Sequence, residues 1–305
     1  MSSEPTGWEY SLEDLRYLQR LPTIPTSLSL CKDVELRLDA REIMRVESQG
    51  SVGSCQGQAL SSVIEWSASL QLGEPCPQLS AAMGYYESQR LDNLKTDRGS
   101  SIASGVRLAT TVGLCEDTLW PYRAKYDRSR PANWSAVREA AAKYMIGTAY
   151  KMKFYAEVRA FLGQRKGGVN IGLAWTSDLN RPVVDRYKAG RGGGHAVAML
   201  GLSGRTDKDG DPYIWVMNSW GRRFGEAGWA EWSPRVLGKI LSHSRTVCVG
   251  MGGLPNLRSE PWDVSEWRSR LRSVKQLSSE LDVAYAETVA AVERRAVECR
   301  AENLS

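Results

Sequence analysis

The chain has 305 residues, 42 % apolar and 25 % charged, enough for one large or two ordinary domains with a real core. The net charge of +5 includes no dense Lys/Arg block, so it reads as a solvated surface and not a nucleic-acid face, and no apolar run approaches the ~18 residues that cross a membrane. The six cysteines (Cys31, Cys55, Cys76, Cys115, Cys248 and Cys299) form no Cys-x-x-Cys, and there are only two histidines. A zinc site is therefore not expected, nor is any other cofactor, and a reducing compartment fits best.

The N-terminus is polar and lacks a basic-then-apolar secretory signal, which points to a cytoplasmic protein, with phage or virion association as a further reading. Residues 1–38 read as an appendage. Ser11-Leu-Glu-Asp14 offers an N-cap for a short helix through Leu15, Tyr17, Leu18 and Leu21, which Pro22 and Pro25 then break. Either a structural strap or a short occluding segment fits this pattern.

A tight polar stretch, Gln49-Gly-Ser-Val-Gly-Ser-Cys55, leads into a helix over 55–71 with apolar residues at Leu60, Val63 and Ile64. A cysteine at a helix N-terminus meets unpaired N–H groups and the positive end of the macrodipole, where a thiolate is favoured. Ser80 is placed to cap a second helix. Asp97-Arg-Gly99-Ser-Ser101 precedes a third, through Ile102, Val106, Leu108 and Ala109. Short helices are predicted over 136–144 and 156–162, and strands over 168–174, 195–203, 213–218, 228–232 and 246–250. The fold class is α+β, a helical lobe against a β-barrel-like lobe with a cleft between them. Residues 260–302 carry a helical apolar stripe from Val264 to Ala296 with no glycine or proline after Pro261. This C-terminal extension reads as a helix folded back on the rest, or as a surface for a protein partner or self-association.

Two further polar residues fall at strand ends. His195 follows Gly192-Gly-Gly194 at the mouth of a buried strand, and Asn218 closes the strand Tyr213–Met217 before a turn. Taken singly, Cys55 reads as a buried inert thiol, Gln49 as a surface glutamine, Asn218 as a turn former, and Trp220 as core. His243 stands in no motif and reads as structural.

Together they resemble the papain-like cysteine peptidases. The resemblance rests on the order of the three blocks and on Asn218-Ser-Trp-Gly followed by Gly225-Glu-Ala-Gly228-Trp229. The separation 195 − 55 = 140 lies in the family's gap of roughly 130–150 residues. It covers about residues 39–253, beginning at Asp39-Ala-Arg41, and implies a catalytic domain over 39–255 flanked by the 1–38 appendage and the 256–305 extension. It also implies thiol-dependent hydrolysis of a protein or peptide substrate. Cys55 would be the nucleophile, His195 its base, Asn218 the residue orienting the imidazole, and Gln49 an oxyanion donor, with Trp220 covering the Asn218–His195 bond. Gly99 would pair with substrate backbone. Gly172 and Ala196 would wall the main apolar pocket, with Gly253 at its far end and a bulky apolar or aromatic residue preferred there. Val52 and Gln56 depart from the usual half-cystine and tryptophan and, with Ala59, look like bacterial and phage relatives lacking the disulfide. Two other readings stay open: a catalytically silent binding module of the same fold, and acyl transfer to an amine.

Overall fold

A computed structural model describes residues 8–9, 12–24, 38–190 and 192–257. The chain divides into two units after Leu257, and every described residue belongs to the first. The helix expected over 260–302 lies outside the described residues, as do Cys31 and Cys299.

The N-terminal stretch is packed onto the domain at three places. Strand β1 (Trp8–Glu9) pairs in parallel with β2 (Ser100–Ser101), Trp8 opposite Ser100. Helix α1 (Leu12–Gln19) buries Leu18 and lays the Tyr17 ring under the Arg107 guanidinium, 4.7 Å away. Thr23 then bridges to Lys151, and Ile24 is buried in the sheet lobe's core.

After α2 (Ala40–Ile43), the helical lobe is built on α3 (Cys55–Leu72). This helix is buried from Cys55 through Ser69, apolar and small polar faces alike, as expected of a central helix wrapped on every side. Gly73, at φ +76°, stops it in the left-handed region that glycine adopts without penalty. Helix α4 (Ala81–Leu91) starts where Ser80 accepts the Met83 N–H, and α5 (Ile102–Thr111) where Ser101 accepts the Ser104 N–H. Both serines are caps at predicted helix starts. Gly57 lets α3 and α4 touch: a Cβ there would sit 2.6 Å from the Tyr85 nitrogen. Helix α6 (Trp134–Ala141), continued by a short 3-10 turn (Ala142–Tyr144), completes the lobe.

The second lobe is a seven-stranded sheet with α7 (Tyr155–Gly163) and α8 (Pro234–Leu241). Its strands are β3 (Thr148–Lys151), β4 (Gly167–Ala174), β5 (Val183–Val184), β6 (Gly194–Thr206), β7 (Pro212–Met217), β8 (Trp229–Trp232) and β9 (Val247–Gly252). They lie in the order β3-β9-β4-β6-β7-β8-β5, antiparallel except β5 on β8. Alternation along β6 divides the interior. Ala196, Ala198 and Leu200 face the helical-lobe core, while Val197 and Met199 face the sheet's own core. Strands β3 and β5 and helix α8 were not expected from sequence. Ser233-Pro234 does open α8 with an N-cap bond to the Val236 N–H, a start signal the short, Gly238-interrupted segment obscured.

Candidate active site

The residues picked from sequence converge where α3 meets β6. Cys55 is the first residue of α3, and its Sγ accepts the Ala196 N–H at 3.3 Å, so the thiol is held one residue along β6 from His195. His195 Nε2 lies 2.8 Å from Asn218 Oδ1. Its Nδ1 is buried without a hydrogen-bond partner among the described residues. Asn218 is fixed in turn, since the same Oδ1 accepts the Ser219 N–H at 2.7 Å. A carboxamide oxygen held this way makes Nε2 the protonated nitrogen of the neutral imidazole and directs the Nδ1 lone pair away from Asn218.

Gln49 is tied to the same turn. Its N–H donates to the Ser219 carbonyl at 2.8 Å, the Ser219 hydroxyl donates to its Oε1 at 2.7 Å, and its Nε2 donates to the Val52 carbonyl at 3.0 Å. The side chain is fully buried and presents its amide nitrogen toward the turn that leads into Cys55. Tyr122, from the Leu-Trp-Pro-Tyr turn, donates to the Gln49 carbonyl at 2.8 Å and pairs with the Ser54 hydroxyl at 2.7 Å. Burial pushes the Tyr122 phenol up to about 12, so it stays a donor at neutral pH. Asp97 completes the support by accepting the Gly53 N–H at 2.9 Å and the Tyr85 hydroxyl at 2.6 Å.

The His195 ring packs against two indoles that also touch each other. Trp220 is 4.6 Å away, tilted by 33°, and Trp175 is 4.8 Å away, edge-on at 80°. Trp220 was anticipated and Trp175 was not. Trp175 follows the β4 run, where its only signal is an aromatic at the end of a buried strand. Burial among these rings pushes the His195 imidazole down to about 4, opposed by the Asn218 bond. Both Cys55 and His195 have 0 % exposure.

Gly172 and Ala196 stand directly opposite each other on β4 and β6. Gly253 is not part of that neighbourhood. On β9 the residue beside Gly172 is Val247, whereas Gly167, at the other end of β4, lies beside Gly252. The pocket role expected for Gly253 is thus corrected by the register: it sits against Gly147 and Thr148. Gly99 has φ +96°, its N–H is directed at the Tyr85 hydroxyl (3.3 Å), and its carbonyl accepts from Gln89 at 3.0 Å. The edge that another strand pairs with is Ser100–Ser101, next in sequence. Gln56 turns away from the cysteine and accepts the Ser100 hydroxyl at 2.8 Å, in room left by Gly105. His243 only caps a turn, accepting the Arg245 N–H at 3.2 Å.

The described cysteines, Cys55, Cys76, Cys115 and Cys248, are all reduced. Burial pushes Cys76 and Cys115 up to about 12 and Cys248 higher still, which leaves those three as inert thiols. Among the described residues no group of three or more His, Cys, Asp or Glu is placed to hold a metal, and no helix is long and apolar enough to cross a membrane. A thiol at a helix N-terminus, an imidazole oriented by a carboxamide and a buried amide donor are together the equipment of nucleophilic acyl transfer.

A family model described as papain family cysteine protease matches residues 30–239. An uncharacterized peptidase C1-like protein of Acanthamoeba polyphaga mimivirus is 25 % identical over 198 residues, covering 59 % of this chain and 61 % of the relative. The chain thus spans about three fifths of that relative's length. Among solved structures the fold is similar to xylellain, a cysteine protease from Xylella fastidiosa, with TM-score 0.65 and 19 % identity over 82 % of this chain and 96 % of that one. It is also similar to digestive procathepsin L 3 of the Tenebrio molitor larval midgut, with TM-score 0.58 and 18 % identity over 81 % of this chain and 84 % of that one.

Proposed function

Because the chain belongs to the papain family of cysteine proteases, we propose that it hydrolyses peptide bonds with Cys55 as the nucleophile. The observation that carries this reading is the arrangement of His195: Nε2 on Asn218 at 2.8 Å, Nδ1 without a hydrogen-bond partner among the described residues, and the adjacent Ala196 N–H on the Cys55 sulfur. His195 Nδ1 takes the thiol proton, and the sulfur attacks the scissile carbonyl carbon. The tetrahedral oxyanion is met by the Cys55 backbone N–H and by a Gln49 Nε2–H, with the Gln49 carboxamide oriented by the Ser219 hydroxyl. Collapse of the intermediate passes the Nδ1 proton to the leaving amine. A water then adds to the thioester, His195 serving again as base, and releases the acid and the free thiol.

A buried imidazole held down at about 4 is a poor cation by itself. Proton transfer from Cys55 creates an anion beside it, and that charge favours the imidazolium. Trp220 and Trp175 exclude water from the Asn218 bond, so the ring keeps its orientation through both half-reactions. Gly172 and Ala196 present an uncharged wall to the substrate and favour a bulky apolar or aromatic side chain two positions before the cleaved bond.

The test is cleavage of a peptide library by the intact chain and by Cys55→Ala and His195→Ala, with circular dichroism as the folding check. Activity lost in both folded variants supports the proposal. Cleavage that survives Cys55→Ala overturns it, and a folded parent that cuts no peptide favours a silent binding module.

A further inference from the structure

A second concave site lies at the β5 edge of the sheet lobe. β5 runs parallel to β8, Val183 opposite Glu231 and Val184 opposite Trp232, and the Ser233 N–H donates to the Val184 carbonyl at 3.1 Å. That register sets the segment around β5 beside the start of α8. Between them is a cavity of about 440 Å³, lined by Arg181, Arg186 and Lys188 from the first segment and by Arg235 and Lys239 from the helix. The fold thus gathers cations that the sequence keeps in separate stretches. None of the five side chains has an ion-pair or hydrogen-bond partner among the described residues. Two carboxylates share the lining, and each already accepts from a neutral donor: Asp178 from the Lys188 N–H at 2.9 Å, Asp185 from the Tyr213 hydroxyl. Positive charge is left in excess.

The placement of this charge works against the fold. Val236, Leu237 and Ile240 bury one face of α8, which leaves Arg235 and Lys239 exposed as a like-charged i, i+4 pair. Arg235 also stands in the first turn, beside the positive end of the macrodipole. An anion held between these groups reverses both penalties. The lining carries a further donor. Tyr187 is only 8 % exposed, and its hydroxyl has no hydrogen-bond partner among the described residues. Burial and the nearby Asp178 raise that phenol above its ordinary range, so it keeps its proton.

We infer that this cavity binds a compact anion bearing two or more phosphate groups, with Arg181, Arg186 and Arg235 as its principal ligands. A cavity of this size suits a small molecule. Each terminal phosphate brings a charge of about −1.5 to −2 and three acceptor oxygens, so two or three phosphates match five cations where single carboxylates do not. Guanidinium forks pair phosphate oxygens bidentately, and the Tyr187 phenol adds a directed hydrogen bond. A nucleic-acid strand needs cations spaced along a groove, whereas these close around one hollow. Binding here uses none of the Cys55 machinery and stands apart from the peptidase proposal.

Titration calorimetry of the intact chain with inorganic tripolyphosphate at near-physiological salt tests this, with one saturable site expected. Arg186→Glu combined with Arg235→Glu should weaken binding at least ~30-fold, and Tyr187→Phe about three- to tenfold. Arg123→Glu combined with Lys125→Glu makes the same change of net charge at exposed positions of the helical lobe and should leave binding unchanged. Circular dichroism checks the fold. Weakening by the charge reversal, or by Tyr187→Phe should that chain unfold, with the helical-lobe pair unchanged, supports the inference. No saturable binding, an equal loss in the helical-lobe pair, or no loss in the folded cavity variants overturns it. Tighter binding of a DNA oligonucleotide than of tripolyphosphate overturns the compact ligand. Displacement of bound tripolyphosphate by vesicles carrying a phosphoinositide bisphosphate would assign the same site a lipid headgroup, and no displacement a free ligand.

Discussion

Replacing His195 by glutamine reports on the covered site through pH. The imidazole is held at about 4 in the fold against 6.5 unperturbed. Between those values the unfolded chain binds a proton that the folded chain refuses. The gap, 6.5 − 4 = 2.5, at about 1.36 kcal/mol for each pKa unit, is about 3 kcal/mol of stability. Because the folded value is the lower one for a base, this stability is complete above 6.5 and lost as pH falls toward 4. Guanidinium unfolding of both chains at pH 7.5 and 4.5 measures it under two-state analysis. The parent should lose about 2–3 kcal/mol more than His195→Gln on acidification. Glu65, whose carboxyl burial raises well above its ordinary range, works in the opposite sense, since its buried neutral form favours the fold at low pH. It titrates alike in both chains and cancels in the difference. If a resting Cys55 thiolate held His195 as imidazolium, the folded value would lie above 6.5 and the sign would reverse. The parent would then lose stability relative to the variant as pH rises, and that result would refute the neutral covered pair.

Asn218→Ala removes the 2.8 Å bond that orients the ring but transfers no proton, so kcat/KM should fall ~10–100-fold, far less than in Cys55→Ala. A folded Asn218→Ala as inactive as Cys55→Ala would contradict this division of labour. Gly57→Ala puts a methyl 2.6 Å from the Tyr85 nitrogen and 2.7 Å from its Cβ, forcing α3 and α4 apart, and should cost about 1–3 kcal/mol in thermal or chemical unfolding. Gly238→Ala, in α8 with no described residue within 4 Å of its Cβ, should instead gain about 0.5–1 kcal/mol. Profiling a peptide library should show aromatic residues preferred two positions before the cut; a basic preference there would mean the pocket is lined by other residues.

What the sequence made legible was local chemistry with a period or a cap. The Cys55 helix, its serine-capped neighbours and the strands ending at Asn218 and opening at His195 carried their signals within a few residues. What it hid was non-local. Trp175 meets the His195 ring edge-on across neighbouring strands, and nothing near position 175 marks that meeting. Gly253 was misplaced because the register of β9 on β4, which sets which end of the strand borders Gly172, depends on partners far along the chain. Trp8 falls in the stretch read as an appendage, and its packing against Gly172 and Gly194 and its pairing with Ser100 join positions far apart in the chain. Of the two readings of residues 1–38, the burial of Leu18 in the helical lobe's core and of Ile24 in the sheet lobe's core is what a structural strap requires.

The most direct measurement of the central claim is labelling of the intact chain with a thiol-directed epoxide at pH 7, followed by intact mass and peptide mapping. The account predicts that the first adduct forms on Cys55, much faster than on a free thiol, and that His195→Ala slows it to the free-thiol rate. Labelling of Cys55 no faster than a free thiol, or at the same rate with and without His195, would contradict it.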